Sequence, residues 1–141
     1  MRTYAYPAMF EPSEDSDAIL VTFADFPEAI SEGDDEVEAR TNAADALGIV
    51  MLEYLRIGRT LPTPSAGALL IAPEPDVAAK IALLEAFKAS DISRSELARR
   101  LNWDEKAVRR ALDPFHATKL PHLSAALNAL GRRLIVSVEA A

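Results

Sequence analysis

The sequence predicts an α+β fold in two parts: an N-terminal layer of three or four strands with one long helix, then an all-α helix-turn-helix module ending in a single strand. Three observations predict it. Apolar residues recur at a spacing of two in residues 3–10 and 19–23, as in half-buried strands. They recur at three and four from Val37 to Leu55 and again from Val77 onward, as on one face of a helix. Charge divides with the pattern: residues 1–66 hold 13 acids and 4 bases, a net of −9, and residues 67–141 hold 9 acids and 11 bases, a net of +2.

The first strand carries Tyr4, Tyr6, Ala8 and Phe10 on one side, and the second carries Ile19, Val21 and Phe23 after the polar loop EPSEDSD. They read as an antiparallel pair. Pro7 lacks an amide proton, so the first strand is expected to be an edge or to break there. A short third strand is expected from Ala29 to Glu32, ending at Gly33. Asp35 and Glu38 have capping-box spacing and open the long helix, whose apolar stripe is Val37, Ala44, Leu47, Met51 and Leu55 and whose end is Gly58. After the connection LPTPS, the run GALLIA (Gly67–Ala72) is short enough for a further strand. Ala72-Pro73-Glu74-Pro75 is the expected boundary, giving domains 1–72 and 73–141.

In the second part, Val77, Ile81 and Leu84 line a first helix, with Phe87 and Ile92 closing its core. Ser93 and Glu96 form a capping box for the next helix, in which Leu97, Ala98 and Leu101 share a face. Asn102 stands where the chain must turn sharply and tolerates left-handed geometry. Asp104 is the expected cap of a further helix with Val108, Ala111 and Leu112 facing inward and Lys106, Arg109 and Arg110 outward. Two short amphipathic helices meeting at such a turn are how a helix-turn-helix is written. Leu120, Leu123, Leu127 and Leu130 form a last helix, with Pro121 in its first turn and Gly131 at its end. Trp103, the only tryptophan, is expected to pack into the bundle. The closing run RRLIVSV reads as a strand with no sheet to receive it, so Leu134, Val136 and Val138 are expected to pair with the same strand of a second subunit.

Composition narrows the function. Half the residues are hydrophobic and 26% are charged, a globular balance, and no cysteine is present for disulfides or thiolate metal ligands. The start of the chain has no apolar run, so neither a signal peptide nor a membrane span is expected, and a cytoplasmic location follows. Although the net charge is −7, residues 88–133 hold 10 bases against 5 acids, and they contain the two short helices. The basic segment suits phosphates and the acidic half suits a cationic protein.

No residue is assigned a catalytic role. The carboxylates cluster in a loop (Glu11, Glu14, Asp15, Asp17) and at a helix start (Asp34, Asp35, Glu36, Glu38), where solvation and capping account for them. His116 and His122 have no acidic or thiol neighbour at ligand spacing, and the five glycines are not grouped into a phosphate loop. No metal and no cofactor are expected.

The phrases YPAMFEP (Tyr6–Pro12), VTFADFPEAISEGDD (Val21–Asp35) and EARTNAADAL (Glu38–Leu47) carry a family likeness. In order and spacing they resemble the N-terminal domain of HicB antitoxins, and the helix-turn-helix is similar to the tail carried by one branch of that family. Departures are local: Glu28-Ala29 replaces the usual Gly-Cys, Ala24 stands for Pro, and Ser31 stands for Thr. The resemblance implies a truncated ribonuclease-H-like domain without catalysis, which binds and masks a small basic HicA-type ribonuclease. It implies further that the helix-turn-helix binds operator DNA and represses the shared operon. Candidate toxin contacts are Tyr6, Phe10, Glu11, Glu32 and Asp34. For DNA, Lys106, Arg109 and Arg110 are placed for base edges or phosphates, and Arg94, Ser95 and Lys119 for backbone phosphates. A homodimer or higher homo-oligomer is expected. The alternative is a transcriptional regulator whose N-terminal domain binds another protein or a ligand and meets no toxin; a metal-dependent nuclease trails behind both.

Overall fold

The computed structural model describes residues 1–140, and the chain divides into two compact units, Met1–Glu74 and the residues from Pro75 onward. The first unit contains β1 (Tyr6–Pro7), β2 (Met9–Pro12), β3 (Ile19–Thr22), β4 (Ile30–Gly33), α1 (Glu36–Arg56) and β5 (Leu70–Ile71).

The strands expected in one layer form two small antiparallel sheets, one of order β2-β3-β4 and one pairing β1 with β5. The break falls beside Pro7, which has no ladder donor, and the amide of Ala8 turns instead to the carbonyl of Leu69 at 2.8 Å. Gly67 belongs to the same junction: a Cβ there would stand 2.4 Å from the Pro7 side chain.

Helix α1 covers one face of the three-stranded sheet. Asp35 caps it by accepting from the Glu38 amide at 2.8 Å, while the Glu38 carboxylate accepts from the Asp34 amide at 3.4 Å, one residue earlier than a standard capping box. Its buried side is Ala39, Ala43, Ala44, Leu47, Gly48, Met51, Leu52 and Tyr54. Val37, expected in that stripe, is 76% exposed, and Leu55 is only half-buried. The first turns carry alanines because β4 approaches closely there: a Cβ on Gly33 would stand 2.3 Å from the Ala39 nitrogen. Tyr6, Phe26 and Tyr54 pack as an aromatic group, with ring centroids 4.7 Å apart for Tyr6–Phe26 and 5.1 Å for Phe26–Tyr54.

The segment that departs from the family pattern is tied down by its own side chains. Asp25 accepts from the Ser65 amide at 2.9 Å and from its hydroxyl. Glu28 accepts from the Tyr54 hydroxyl at 2.8 Å, which holds its carboxyl below the usual range.

The second unit is helical: α2 (Pro75–Ser90), α3 (Arg94–Leu101), α4 (Glu105–Ala111) and α5 (Leu120–Ala129). Its core gathers Ala79, Leu83, Ala86, Leu97, Ala98, Val108, Ala111, Leu112, Leu123, Ala126 and Leu127, with Trp103 packed partly against it. Each fully buried leucine contributes about 1.5–3 kcal/mol. The buried residues of α2 are Ala79, Lys80, Ile81, Leu83 and Ala86, so Ile81 of the expected stripe is buried while Val77 and Leu84 are half-buried.

The expected C-terminal strand is absent among the described residues. Leu134 packs partly against the helical core, while Ile135, Val136 and Val138 are 57%, 63% and 96% exposed. A strand needs a partner for its backbone groups, and no element of the helical unit offers an edge.

Candidate functional site

Local chemistry sets the junction of α3 and α4. The Ser93 hydroxyl accepts from the Glu96 amide at 3.0 Å and the Asp104 carboxylate from the Ala107 amide at 2.7 Å, caps that stabilise by about 1 kcal/mol each. Between them Asn102 adopts φ 53°, ψ 42°, and the Trp103 amide returns to the carbonyl of Ala98 at 3.0 Å. Leu97, Ala98, Val108, Ala111 and Leu112 face the core; Arg94, Ser95, Lys106, Arg109 and Arg110 are exposed. Lys119, also exposed, stands at the N-cap of α5.

The cations of this surface fall into two groups. Glu96 is bonded by both Arg99 and Arg100, and these hydrogen bonds hold its carboxyl down at about 2. Arg100 also donates to the Ala129 carbonyl at 3.2 Å, which ties α3 to α5. In contrast, Arg94, Lys106, Arg109 and Arg110 form no side-chain ion pair or hydrogen bond among the described residues. Lys106, Arg109 and Arg110 share one side of α4 by their spacing. This surface can accept phosphate oxygens with no internal partner to displace.

Sequence reasoning missed the residue that fixes α4. Lys80 on α2 is 4% exposed, and its ammonium donates to the carbonyls of Arg110 (3.2 Å), Ala111 (2.8 Å) and Asp113 (3.0 Å) and meets the Thr118 hydroxyl at 2.7 Å. Those carbonyls lie at the C-terminal end of α4, where helical partners run out. Burial pulls the ammonium down to about 8, against the attraction of Asp113. A charged residue inside the apolar run VAAKIALLEAF was the available signal.

The acidic unit offers a different surface. Register places Glu11 and Glu32 on either side of Leu20, with Met9 and Ile30 beside Thr22 in the next row. Strand alternation puts all six on the face opposite Val21, the buried residue that packs toward α1. Met9 and Ile30 are 63% and 61% exposed, so this face carries one row with Leu20 between two carboxylates and a neighbouring row with Thr22 between two exposed apolar side chains. The other candidates separate from it. Tyr6 is fully buried and donates to the Pro62 carbonyl at 2.7 Å, which makes it core and removes it from any partner surface. Phe10 points to the α1 side, with the Arg40 guanidinium 5.3 Å from its ring centre. Asp34 is exposed at the helix start.

Among the described residues, no three His, Cys, Asp or Glu side chains are grouped to hold a metal ion. No helix among them is long and apolar enough to cross a membrane.

Comparison with known proteins gives these surfaces a context. Residues 5–90 match the family model described as a HicB-like antitoxin of a bacterial toxin-antitoxin system. Antitoxin HicB 2 of Photorhabdus laumondii is 37% identical over 130 residues, covering 92% of each chain. Antitoxin HicB of Pseudomonas fluorescens is 36% identical over 136 residues, covering 93% of this chain and 92% of its own. Antitoxin HicB of Escherichia coli K12 is 34% identical over 132 residues, covering 92% of this chain and 95% of its own. The family model ends at the last residue of α2, but alignments that cover more than nine-tenths of the chain necessarily run through α3 and α4. The chain belongs to the HicB-like antitoxins of bacterial toxin-antitoxin systems.

Proposed function

We propose that this antitoxin neutralises a HicA-type ribonuclease toxin through its N-terminal unit and represses its own operon through α3 and α4, acting as a helix-turn-helix. The observation that carries the DNA half is the set of exposed, unpaired cations Arg94, Lys106, Arg109 and Arg110 in a chain of net charge −7. In this reading α4 enters the major groove, Lys106, Arg109 and Arg110 meet base edges or phosphates, and Arg94, Ser95 and Lys119 meet the backbone. Arginine pairs bidentately with guanine, so Arg109 or Arg110 reads sequence.

The toxin half rests on family membership and on charge. The N-terminal unit, in this reading a partial ribonuclease-H-like domain serving as binding module, presents to a basic protein a row with Leu20 between Glu11 and Glu32 and a row with Met9 and Ile30 on either side of Thr22. Apolar contact supplies affinity and the carboxylates orient the partner. Pairing of residues 132–138 across a two-fold axis would give those backbone groups partners and bring two copies of α4 to one operator.

Co-expression with the toxin, read alongside DNA binding, tests the division. Glu11→Lys with Glu32→Lys should abolish rescue of growth and leave binding to the DNA upstream of the operon intact; Arg109→Ala should weaken that binding and leave rescue intact. Rescue by both variants at native level would overturn the assignment of the sheet face.

A further inference from the structure

A cleft of about 500 Å³ opens beside α4, bounded by the connection to α5 and by the first turn of α5. Arg110, His116, Lys119 and His122 line it, with the Trp103 ring as a wall. Asp104 is its single acid, and one carboxylate oxygen already caps α4. The lining thus offers several hydrogen-bond donors, two of them full cations, and a single carboxylate already engaged in capping.

The cleft is also braced from behind. Thr118, which lines it, is held by the buried Lys80 ammonium at 2.7 Å and in turn meets His116 Nδ1 at 2.9 Å. On the other wall the Trp103 and His122 rings meet edge to face, with centroids 5.6 Å apart. Side chains fixed in this way lose little freedom when a ligand arrives. The volume lies in the range of small-ligand sites and exceeds a bare phosphate, so it admits a phosphate with the sugar attached to it.

We infer that this cleft is a phosphate-binding site, in which Arg110 and Lys119 supply charge, His116 and His122 supply further donors, and Trp103 packs against the sugar. The inference deepens the DNA-binding reading and rests on it for the source of the phosphate: the site flanks the helix proposed to enter the groove, where a backbone phosphodiester passes. A free nucleotide carries the same chemistry.

Trp103 is the only tryptophan, so its emission reports directly on the cleft. The full chain is titrated with a duplex from upstream of its own operon, with a random-sequence duplex, and with AMP and inorganic phosphate. The expected result is a saturable change in emission with both duplexes. Lys119→Ala should weaken both by the same factor and lower the slope of log affinity against log salt by about one. If that slope and the emission are unmoved while Arg109→Ala still weakens the upstream duplex, DNA binding stands and the cleft assignment falls. If no duplex binds but AMP or phosphate saturates the emission of the native chain and not of Lys119→Ala, the phosphate site stands and the DNA reading falls. No response to any of the four probes overturns the site.

Discussion

The Lys80 ammonium lies 2.8 Å from the carbonyl oxygen of Ala111, so a side chain of α2 holds the last turn of α4. Removing it strands the Ala111 carbonyl, whereas the carbonyls of Arg110 and Asp113 keep the Asp113 and His116 amides. A stranded buried carbonyl costs about 1–3 kcal/mol, offset in part because a desolvated charge is also removed. Lys80→Met is expected to lower stability by about 2 kcal/mol in urea unfolding. Hydrogen exchange should accelerate at residues 111–118 and leave α1 unchanged.

The same lysine gives the protein a pH signature. Its folded value of about 8 lies below the ordinary 10.5, so between these the unfolded chain holds a proton that the folded chain lacks. Stability therefore climbs with pH across that window. Burial and Glu28 raise the Tyr54 hydroxyl above its ordinary 10, which adds stability at lower pH that is lost as its proton leaves at higher pH. The window to measure is thus pH 8 to 10, where the native chain should gain on Lys80→Met. Parallel curves for the two proteins would show that Lys80 does not titrate there.

Glu96 pairs with two exposed arginines, Arg99 and Arg100. Its carboxyl is held at about 2, so its contribution is present above the ordinary 4.5 and is lost as pH falls from there toward 2. Glu96→Gln should flatten the acid limb of the stability curve. On DNA it should strengthen binding to random sequence and steepen the salt dependence, by up to about two in log-log slope if both arginines reach phosphates.

Gly33 is required by space. A Cβ there would stand 2.3 Å from the Ala39 nitrogen and 2.6 Å from its Cα, both backbone atoms of α1. Gly33→Ala must push the helix from the sheet and should cost about 1–3 kcal/mol by overpacking. Urea unfolding checks it. An unchanged midpoint would mean that α1 shifts freely.

What the sequence disclosed divides along physical lines. The caps at Asp35, Ser93 and Asp104 and the left-handed Asn102 were legible because each depends on chemistry within a few residues. Pro7 signalled the strand break for the same reason. Val37 was misplaced because periodicity locates a face but not its edges, and the close approach at Gly33 selects alanines instead. Tyr6 could not be assigned from pattern alone, since an aromatic ring with a hydroxyl suits a surface as well as a core; its bond to Pro62, 56 residues away, decides it. Lys80 belongs to the same class, because its acceptors lie 30 to 38 residues away. Glu11 and Glu32 became one surface only through the register of β2, β3 and β4.

Equilibrium binding to the duplex upstream of the operon, measured for the native chain and Arg109→Ala across a series of salt concentrations, tests whether α4 reads DNA. Binding should weaken steeply with salt, and the variant should lose about 1–3 kcal/mol on that duplex and less on random sequence. Salt-independent binding, or equal affinity of both proteins for both duplexes, would contradict it.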